Sequence, residues 1–351
     1  MVFDELYRHG GFWSTTGPQG DVVLSTRVRL ARNLATVPFP HKQDEPEQTI
    51  VKSVSYRFVH ESEINRNALF VEVSSLDAHD RRFLRERNII TSEMEQSPRS
   101  FVIINQDENF VIMVNEEDHF RIQVICPGLQ VLECYRNADR IDSEMNRYVS
   151  YAFSDDMGYL TACPSNVGTG LRASAMLHLP ALTHMRSIPD VVRAMKDHGS
   201  DLKATAGDGG KTVGCMYIVQ NRASLGKSEA DILEGTDGAA SMLIDMENEA
   251  RDDYVSQYRS LLEDRVWRSF GTVRYARILN YLDCMEHLSN IRLGVVLSII
   301  KKLELQKIND LMVNVQWSHL QKRAGLVFSN TQECDAFRAD YVRSEFAYGD
   351  L

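Results

Sequence analysis

Three apolar runs, Phe101–Ile104, Phe110–Val114 and Ile122–Ile125, follow one another at short intervals. The polar stretch Asn105-Gln106-Asp107-Glu108-Asn109 joins the first two, and its composition is that of a hairpin loop. This hairpin dictates antiparallel pairing. Asn67–Val73 is a further strand-like run, set between helical stretches at 44–65 and 76–98, the second rich in alternating charge. A helical pattern from Val131 to Met145 carries Leu132, Tyr135, Ile141 and Met145 on its apolar side. Another amphipathic helix covers 183–199, and Val213–Gln220 is strand-like. From Ser228 the strands stop: one helical pattern runs to about Val266, and others recur at 281–303, 304–322 and 331–346. The expected fold class is α+β, a largely antiparallel sheet flanked by helices, followed by an all-helical C-terminal domain. The division is expected between residues 1–255 and 256–351.

The second hairpin strand runs directly into Asn115-Glu116-Glu117-Asp118-His119-Phe120-Arg121. So many ionisable groups exceed what a plain turn needs. Carboxylates here suit a cation, either a metal or a guanidinium, and a guanidinium is favoured because magnesium usually reaches a nucleotide site on phosphates. Arg121 leaves on the next strand. Upstream, Ser25-Thr26-Arg27-Val28-Arg29 puts two guanidinium forks on one face of a strand that ends near Ser25, because side chains alternate. Two such forks make a phosphate clamp.

The third constellation is Cys163-Pro164-Ser165-Asn166-Val167-Gly168-Thr169-Gly170-Leu171-Arg172. Its glycines allow positive φ and close backbone approach to a ligand. A thiol beside Arg172 is expected to ionise more readily than a free one. Two sequences imitate a Walker loop, Gly210-Lys211-Thr212 and Gly226-Lys227-Ser228. The motif requires glycine five residues earlier, where this chain has Thr205 and Asn221. The better description of Lys203–Thr212 is a flexible glycine loop carrying Asp208 that closes over a substrate.

Composition narrows the partners. The net charge of −10 over 351 residues argues against sequence-independent nucleic-acid binding. No apolar run approaches membrane-spanning length, and Met1–Leu6 lacks a signal-peptide pattern. The six cysteines show no zinc spacing, so free thiols in a reducing compartment are expected. A cytoplasmic protein with no membrane or nucleic-acid partner is the expectation.

Several arginines, two separated carboxylates and a glycine-loop thiol suit phosphoryl transfer from a nucleotide to a cationic acceptor. A guanidinium is protonated at neutral pH and a poor nucleophile, and carboxylates on either side can orient it and draw off a proton. On the three stretches quoted, the chain resembles the phosphagen (guanidino) kinase superfamily, specifically its bacterial protein-arginine kinase branch. The likeness extends from about residue 20 to the C-terminus. Small-molecule relatives carry a helical domain before the first arginine motif, whereas here it follows the catalytic part.

The resemblance implies the guanidino-kinase catalytic fold, ATP with Mg2+ held mainly by the phosphates, and no metal ligand from the chain. It implies catalytic roles for Glu117, Asp208 and Cys163. Nucleotide contacts are implied for Ser25, Thr26, Arg27, Val28, Arg29, Asn88, Arg121 and Arg172. They extend to Ala173, Ser174, Ala175, Met176, Lys203, Ala204, Thr205, Ala206, Gly207 and Asp208. Cys334, Asp335, Arg338 and Ala339 match an allosteric phosphoarginine pocket. Partners implied are protein substrates with exposed arginines, a Clp-type unfoldase or protease, and a second copy in a homodimer. The branch has arginine where this chain has Lys203 and Cys334, histidine where it has Asn88, and glutamate where it has Asp208. The expected function is ATP-dependent phosphorylation of protein arginines. The rivals are a small-molecule guanidino kinase and a weakly active phosphoarginine- or nucleotide-binding adaptor.

Overall fold

The computed structural model describes residues 11, 14–65, 68–105, 107–186, 188–206 and 212–346. Its centre is β1 (Val23–Arg32), hydrogen-bonded on one side to β5 (Phe120–Pro127) and on the other to β8 (Leu171–His178). Outward from β5 lie β4 (Phe110–Val114), β3 (Phe101–Asn105) and β2 (Ala68–Glu72). Outward from β8 lie β10 (Thr212–Asn221) and β9 (Ser200–Ala206). All seven pairings of this eight-stranded sheet are antiparallel. The small hairpin β6 (Phe153–Ser154) and β7 (Gly158–Tyr159) stands apart from it.

Alternation along the strands gives the sheet two unlike faces. One face sends Val28, Leu30, Ile122, Val124 and Ala173 into a core shared with α1 (Glu45–Glu61) and α4 (Val131–Met145). Toward the β9 edge, Ala175, Leu177, Leu202 and Val219 belong to a second core. It includes α5 (Pro180–Met185), α6 (Ile188–Asp197) and α7 (Glu229–Tyr275). The other face carries the arginines.

The helical region follows as α8 (Tyr281–Val296), α9 (Leu305–Asn314), α10 (Trp317–Ala324) and α11 (Thr331–Glu345). The backbone of α7 leaves helical geometry at Tyr258, with φ −134° and ψ 32°. No helix among the described residues is long and apolar enough to cross a membrane. All six cysteines are free thiols.

Several elements differ from the sequence reading. The strand expected to end near Ser25 runs on to Arg32, so Arg27 and Arg29 sit inside it. The helix expected over 76–98 is two, α2 (Ala78–Glu86) and α3 (Ser92–Gln96), capped by Asp77 and Thr91. Asn88 turns the chain between them at φ 59°. Arg87 is drawn inward to Glu108 at 2.5 Å. The alternating charge thus conceals a buried ion pair at a chain reversal. The helix expected over 304–322 breaks between α9 and α10. Lys203–Ala206, expected in a flexible loop, is the end of β9.

Candidate active site

Arg27 and Arg29 project from β1 toward the sheet's second face, and the register sets Arg172 of β8 opposite Arg29. Arg121 of β5 faces Ala31 on the same side. Among the described residues Arg27 and Arg29 have no ion-pair partner, and the buried Nε of Arg29 has no hydrogen-bond acceptor. Burial, then the Arg121 charge, pulls the Arg27 guanidinium down to about 10. Burial first, then Arg27, Arg121 and Arg172, drives Arg29 well below its usual value, with Glu116 opposing. Four like charges sharing one face are a site for a polyanion.

At one end of this cluster Arg121 donates to Glu116 Oε1 at 2.9 Å and to Glu117 Oε2 at 3.3 Å. Thr91 Oγ1 and the Glu117 N–H also bond to Glu116, at 3.0 and 2.8 Å, so Glu116 is a fastening for the turn. Glu117 stays 43% exposed and reaches outward. Its carboxyl is raised above the ordinary carboxylate range by burial, with Asp118 and Glu116 adding to the effect. Arg121 and a hydrogen bond from the Cys163 thiol oppose it. Glu117 and Cys163 are thereby brought together. A cavity of about 380 Å³ opens beside them, lined in part by Gln43, Asn115, Glu116 and Ala162.

The supporting groups escaped the sequence reading. Asp118 is fully buried, and its Oδ1 accepts from Asn33 Nδ2 and from the Ala162 N–H, both at 2.7 Å. The residue beside Glu117 thus holds the backbone beside Cys163. Arg32, which ends the arginine run, donates to Thr169 O at 2.9 Å and pairs with buried Asp142 at 2.7 Å. It also lies 3.6 Å from the Tyr159 ring centre. A Cβ on Gly170, at φ 66°, would stand 2.5 Å from Arg32 Nη1, so glycine is required there. Their signal was adjacency to the motifs, which sequence alone cannot separate from plain surface charge.

Ser165 Oγ lies 3.1 Å from Cys163 Sγ and accepts from Arg172 Nη2 at 3.3 Å, so a hydroxyl links thiol and guanidinium. Ser25, Arg27, Asn88, Ser174 and Met176 line a small recess with Ile125 and Ile218. The Asn88 turn is anchored by Gln123 Nε2 donating to its carbonyl at 2.9 Å. Within the contiguous runs 25–29 and 173–176 the side chains divide between the two faces of the sheet. Thr26, Val28, Ala173 and Ala175 alternate onto the opposite, core-facing side, and Thr26 Oγ1 donates to Gly128 O at 2.7 Å. Lys203 and Ala204 are exposed on β9, Lys203 opposite Ile218, while Thr205 Oγ1 donates to Met216 O at 3.0 Å. Ala206 is the last residue of β9, and Gly207 and Asp208 lie outside the described residues.

Of the allosteric set, Asp335 and Arg338 form an ion pair and line a larger cleft. Cys334 and Ala339 belong to the core. Arg338 is itself 2% exposed, with donors committed to Val315 O at 2.8 Å, Leu279 O at 2.9 Å and Cys334 Sγ at 3.3 Å. Arg343 turns to Ala276 O and Asp340. Among the described residues no cluster of three or more His, Cys, Asp or Glu could hold a metal ion.

The chain is similar to known proteins over nearly its whole length. Residues 49–250 match the ATP:guanido phosphotransferase C-terminal catalytic domain, and residues 259–350 match the protein-arginine kinase McsB C-terminal domain. A protein-arginine kinase of Pelotomaculum thermopropionicum is 36% identical over 97% of this chain and 96% of its own length. That of Bacillus subtilis is 38% identical over 93% and 90%. Among solved structures, the duplicated taurocyamine kinase of Schistosoma mansoni with bound transition-state-analogue components superposes with a TM-score of 0.61 at 22% identity. That match covers 74% of this chain and 39% of the duplicated one. A lombricine kinase superposes at 0.57, with 24% identity over 67% and 68% of the two chains. These two likenesses concern the fold alone. The chain belongs to the ATP:guanido phosphotransferase family and, within it, to the protein-arginine kinases.

Proposed function

We propose that the chain transfers the γ-phosphoryl group of ATP to arginine side chains of proteins, with the reacting centre between the arginine cluster and Glu117. The observation that carries this is Arg121, which belongs to the four-guanidinium cluster and also touches Glu117. Arg27, Arg29, Arg121 and Arg172 hold the polyphosphate and neutralise charge on the group in flight. The unpartnered Nε of Arg29 fits an anionic oxygen. Glu117 accepts hydrogen bonds from the acceptor guanidinium and aims its terminal nitrogen along the transfer line. A P–N bond forms, the bond from the γ-phosphorus to the bridging oxygen breaks, ADP leaves, and the guanidinium proton passes to a carboxylate. A carboxyl raised by burial, as in Glu117, is the better proton acceptor. Cys163 packs beside the acceptor as a hydrogen-bonding neighbour, and Asp208 supplies the carboxylate from the glycine loop.

Mg2+ bound to the phosphates would offset their charge, and the chain's Glu116 and Glu117 are already engaged by Arg121. We read residues 1–255 as the catalytic domain. Residues 256–351 form the helical region for protein docking and homodimerisation, the junction falling within α7 near its break at Tyr258. A cytoplasmic location and delivery of modified proteins to a Clp-type protease complete the reading. Asp335 and Arg338 at the cleft support a phosphoarginine-responsive pocket, weakened because the donors of Arg338 are already committed to Val315 O, Leu279 O and Cys334 Sγ. Incubation with ATP, Mg2+ and an unfolded protein should yield acid-labile phosphate on arginine, mapped by mass spectrometry. Phosphate only on free arginine, or none, would refute the assignment.

A further inference from the structure

The arginine face of the sheet is not open along its whole length. Moving along β8, it presents Arg172, Ser174, Met176 and His178 in turn, from cationic to apolar to covered. His178 Nε2 lies 2.7 Å from Ser289 Oγ of α8, and Arg292 of the same helix donates to His178 Nδ1 at 2.9 Å. On β5, Ile125, which faces Arg27, packs against Val313 of α9. On β10 the chain bulges at Gly214 and Cys215, with φ of 58° and 55°. A Cβ on Gly214 would stand 3.5 Å from the Cε atoms of both Met285 and Met312. Helices α8 and α9 therefore stand on the same face as the arginines, just beyond them.

Between these helices and the sheet runs a cleft of about 1100 Å³. Asn88, Met176 and Thr205 line one side, and Tyr281, Met285 and Met312 the other. Asn88 and Met176 also line the recess beside Arg27, so the cleft continues into the arginine cluster.

We propose that α8 and α9 form one wall of the nucleotide site, with the nucleoside of ATP held between Met176, Thr205 and Asn88 and the facing Tyr281, Met285 and Met312. This rests on the reading that the arginines hold the polyphosphate. Transfer requires the γ-phosphoryl at the Arg121 end, where Glu117 and Cys163 receive the acceptor. The α-phosphate and nucleoside must then extend the opposite way, past Ser25 and Met176, into this cleft. Thioethers and an aromatic ring suit the flat face of a base. The exposed Asn88 amide and the Thr205 hydroxyl stand where polar edges would meet them. The helical region so becomes part of the nucleotide site.

The test uses the full chain. Binding of ATP and of inorganic tripolyphosphate is measured for wild type and Tyr281→Ala, a half-buried position packed against the edge of the core, with the urea midpoint of the variant confirming that it folds. The variant is expected to weaken ATP about fivefold or more and to leave tripolyphosphate unchanged. Photolabelling with 8-azido-ATP is expected within 281–296 or 305–314, suppressed by ATP and not by tripolyphosphate. Equal loss of both ligands removes Tyr281 from the slot. Labelling confined to the sheet peptides overturns the proposal even when arginine phosphorylation is normal. A wild type that binds neither ligand refutes the kinase reading itself.

Discussion

Replacing Asp118 tests whether the acidic turn and the thiol loop act as one unit. Its side chain is fully buried, Oδ1 accepts from Asn33 Nδ2 and Ala162 N at 2.7 Å each, and Oδ2 has no partner. Asp118→Ala strands one buried donor and one half-buried donor, at about 1–3 kcal/mol each. Removing a buried carboxylate with an unsatisfied oxygen offsets part of that, leaving a net loss of about 2–4 kcal/mol. Asp118→Asn can keep one oxygen as acceptor and should cost about 1 kcal/mol. Without the Ala162 tether, Cys163 and Glu117 lose their mutual registration, and a shift near 1 Å lowers kcat about a hundredfold. ATP affinity should hold, because Arg27 and Arg29 are carried on β1. Urea unfolding gives the stability change. Turnover of a protein acceptor, with KM measured separately for ATP and acceptor, gives the split. An Ala variant within about 0.5 kcal/mol of wild type, at full kcat, would refute the reasoning. So would a loss of ATP affinity equal to the loss of kcat.

Glu117→Gln should lower kcat by about 10²–10⁴ with ATP affinity nearly unchanged. The wild-type acid limb should lie above the ordinary carboxylate range, activity falling as pH drops through the raised value and protonates the base, and the limb should vanish in the variant. Cys163→Ser should keep partial activity by retaining the hydrogen bond to Ser165, and alkylation of Cys163 should be slowed by ATP plus acceptor; a phosphocysteine trapped by rapid quench would refute this role. Cys334→Arg forces a cation into a fully buried site and should lower stability by about 3 kcal/mol or more, seen as a reduced Tm, while wild type responds weakly to free phosphoarginine because Arg338 is already engaged. Burial holds His119 and His184 down to about 4 and His178 well below its usual value, so all three stay neutral when folded but protonate near 6.5 once unfolded. Stability should therefore be full above pH 6.5 and fall toward pH 4 by about 1.4 kcal/mol per pH unit for each group, and a flat urea midpoint across that window would refute it.

The antiparallel sheet was legible because hairpin spacing and alternation are local signals. Arg27 and Arg29 could be assigned to one face for the same reason, even though the strand continues past them to Arg32. The helix α4 was readable to its ends because its apolar residues repeat with a helical period. What stayed hidden depends on distant partners. Arg87 reads as one more charge in a helix until Glu108 is found beside it. The alternation that located the arginines also turns the side chains of Thr26, Val28, Ala173 and Ala175 toward the core, which a contiguous motif does not reveal. The covering of the sheet face by α8 and α9 rests on contacts such as Ile125 with Val313, nearly two hundred residues apart in sequence. No local pattern encodes such a contact.

Hydrogen-bond partners separate arginines that hold structure from arginines that await a ligand. Arg32 meets Asp142, Ala31 O and Thr169 O. Arg292 meets Gly20 O, Asp21 O, Asn309 and His178. Arg251 meets Glu247 and Asp21. Each buried guanidinium of this kind has its donors satisfied within the fold, although burial and the Arg251 charge still pull Arg292 down to about 9. Arg27 and Arg29 are desolvated against one another and against Arg121 and Arg172, with Glu116 as a counter-charge acting on Arg29. Such a cluster raises the energy of the empty state, because like charges in low dielectric repel strongly. A polyphosphate relieves that repulsion on binding. The guanidiniums need not reorganise as negative charge shifts from the transferring group toward ADP, because strand pairing already fixes them on both sides of β1. Fixed donors aimed at migrating charge favour the transition state over water, whose dipoles must turn to follow it.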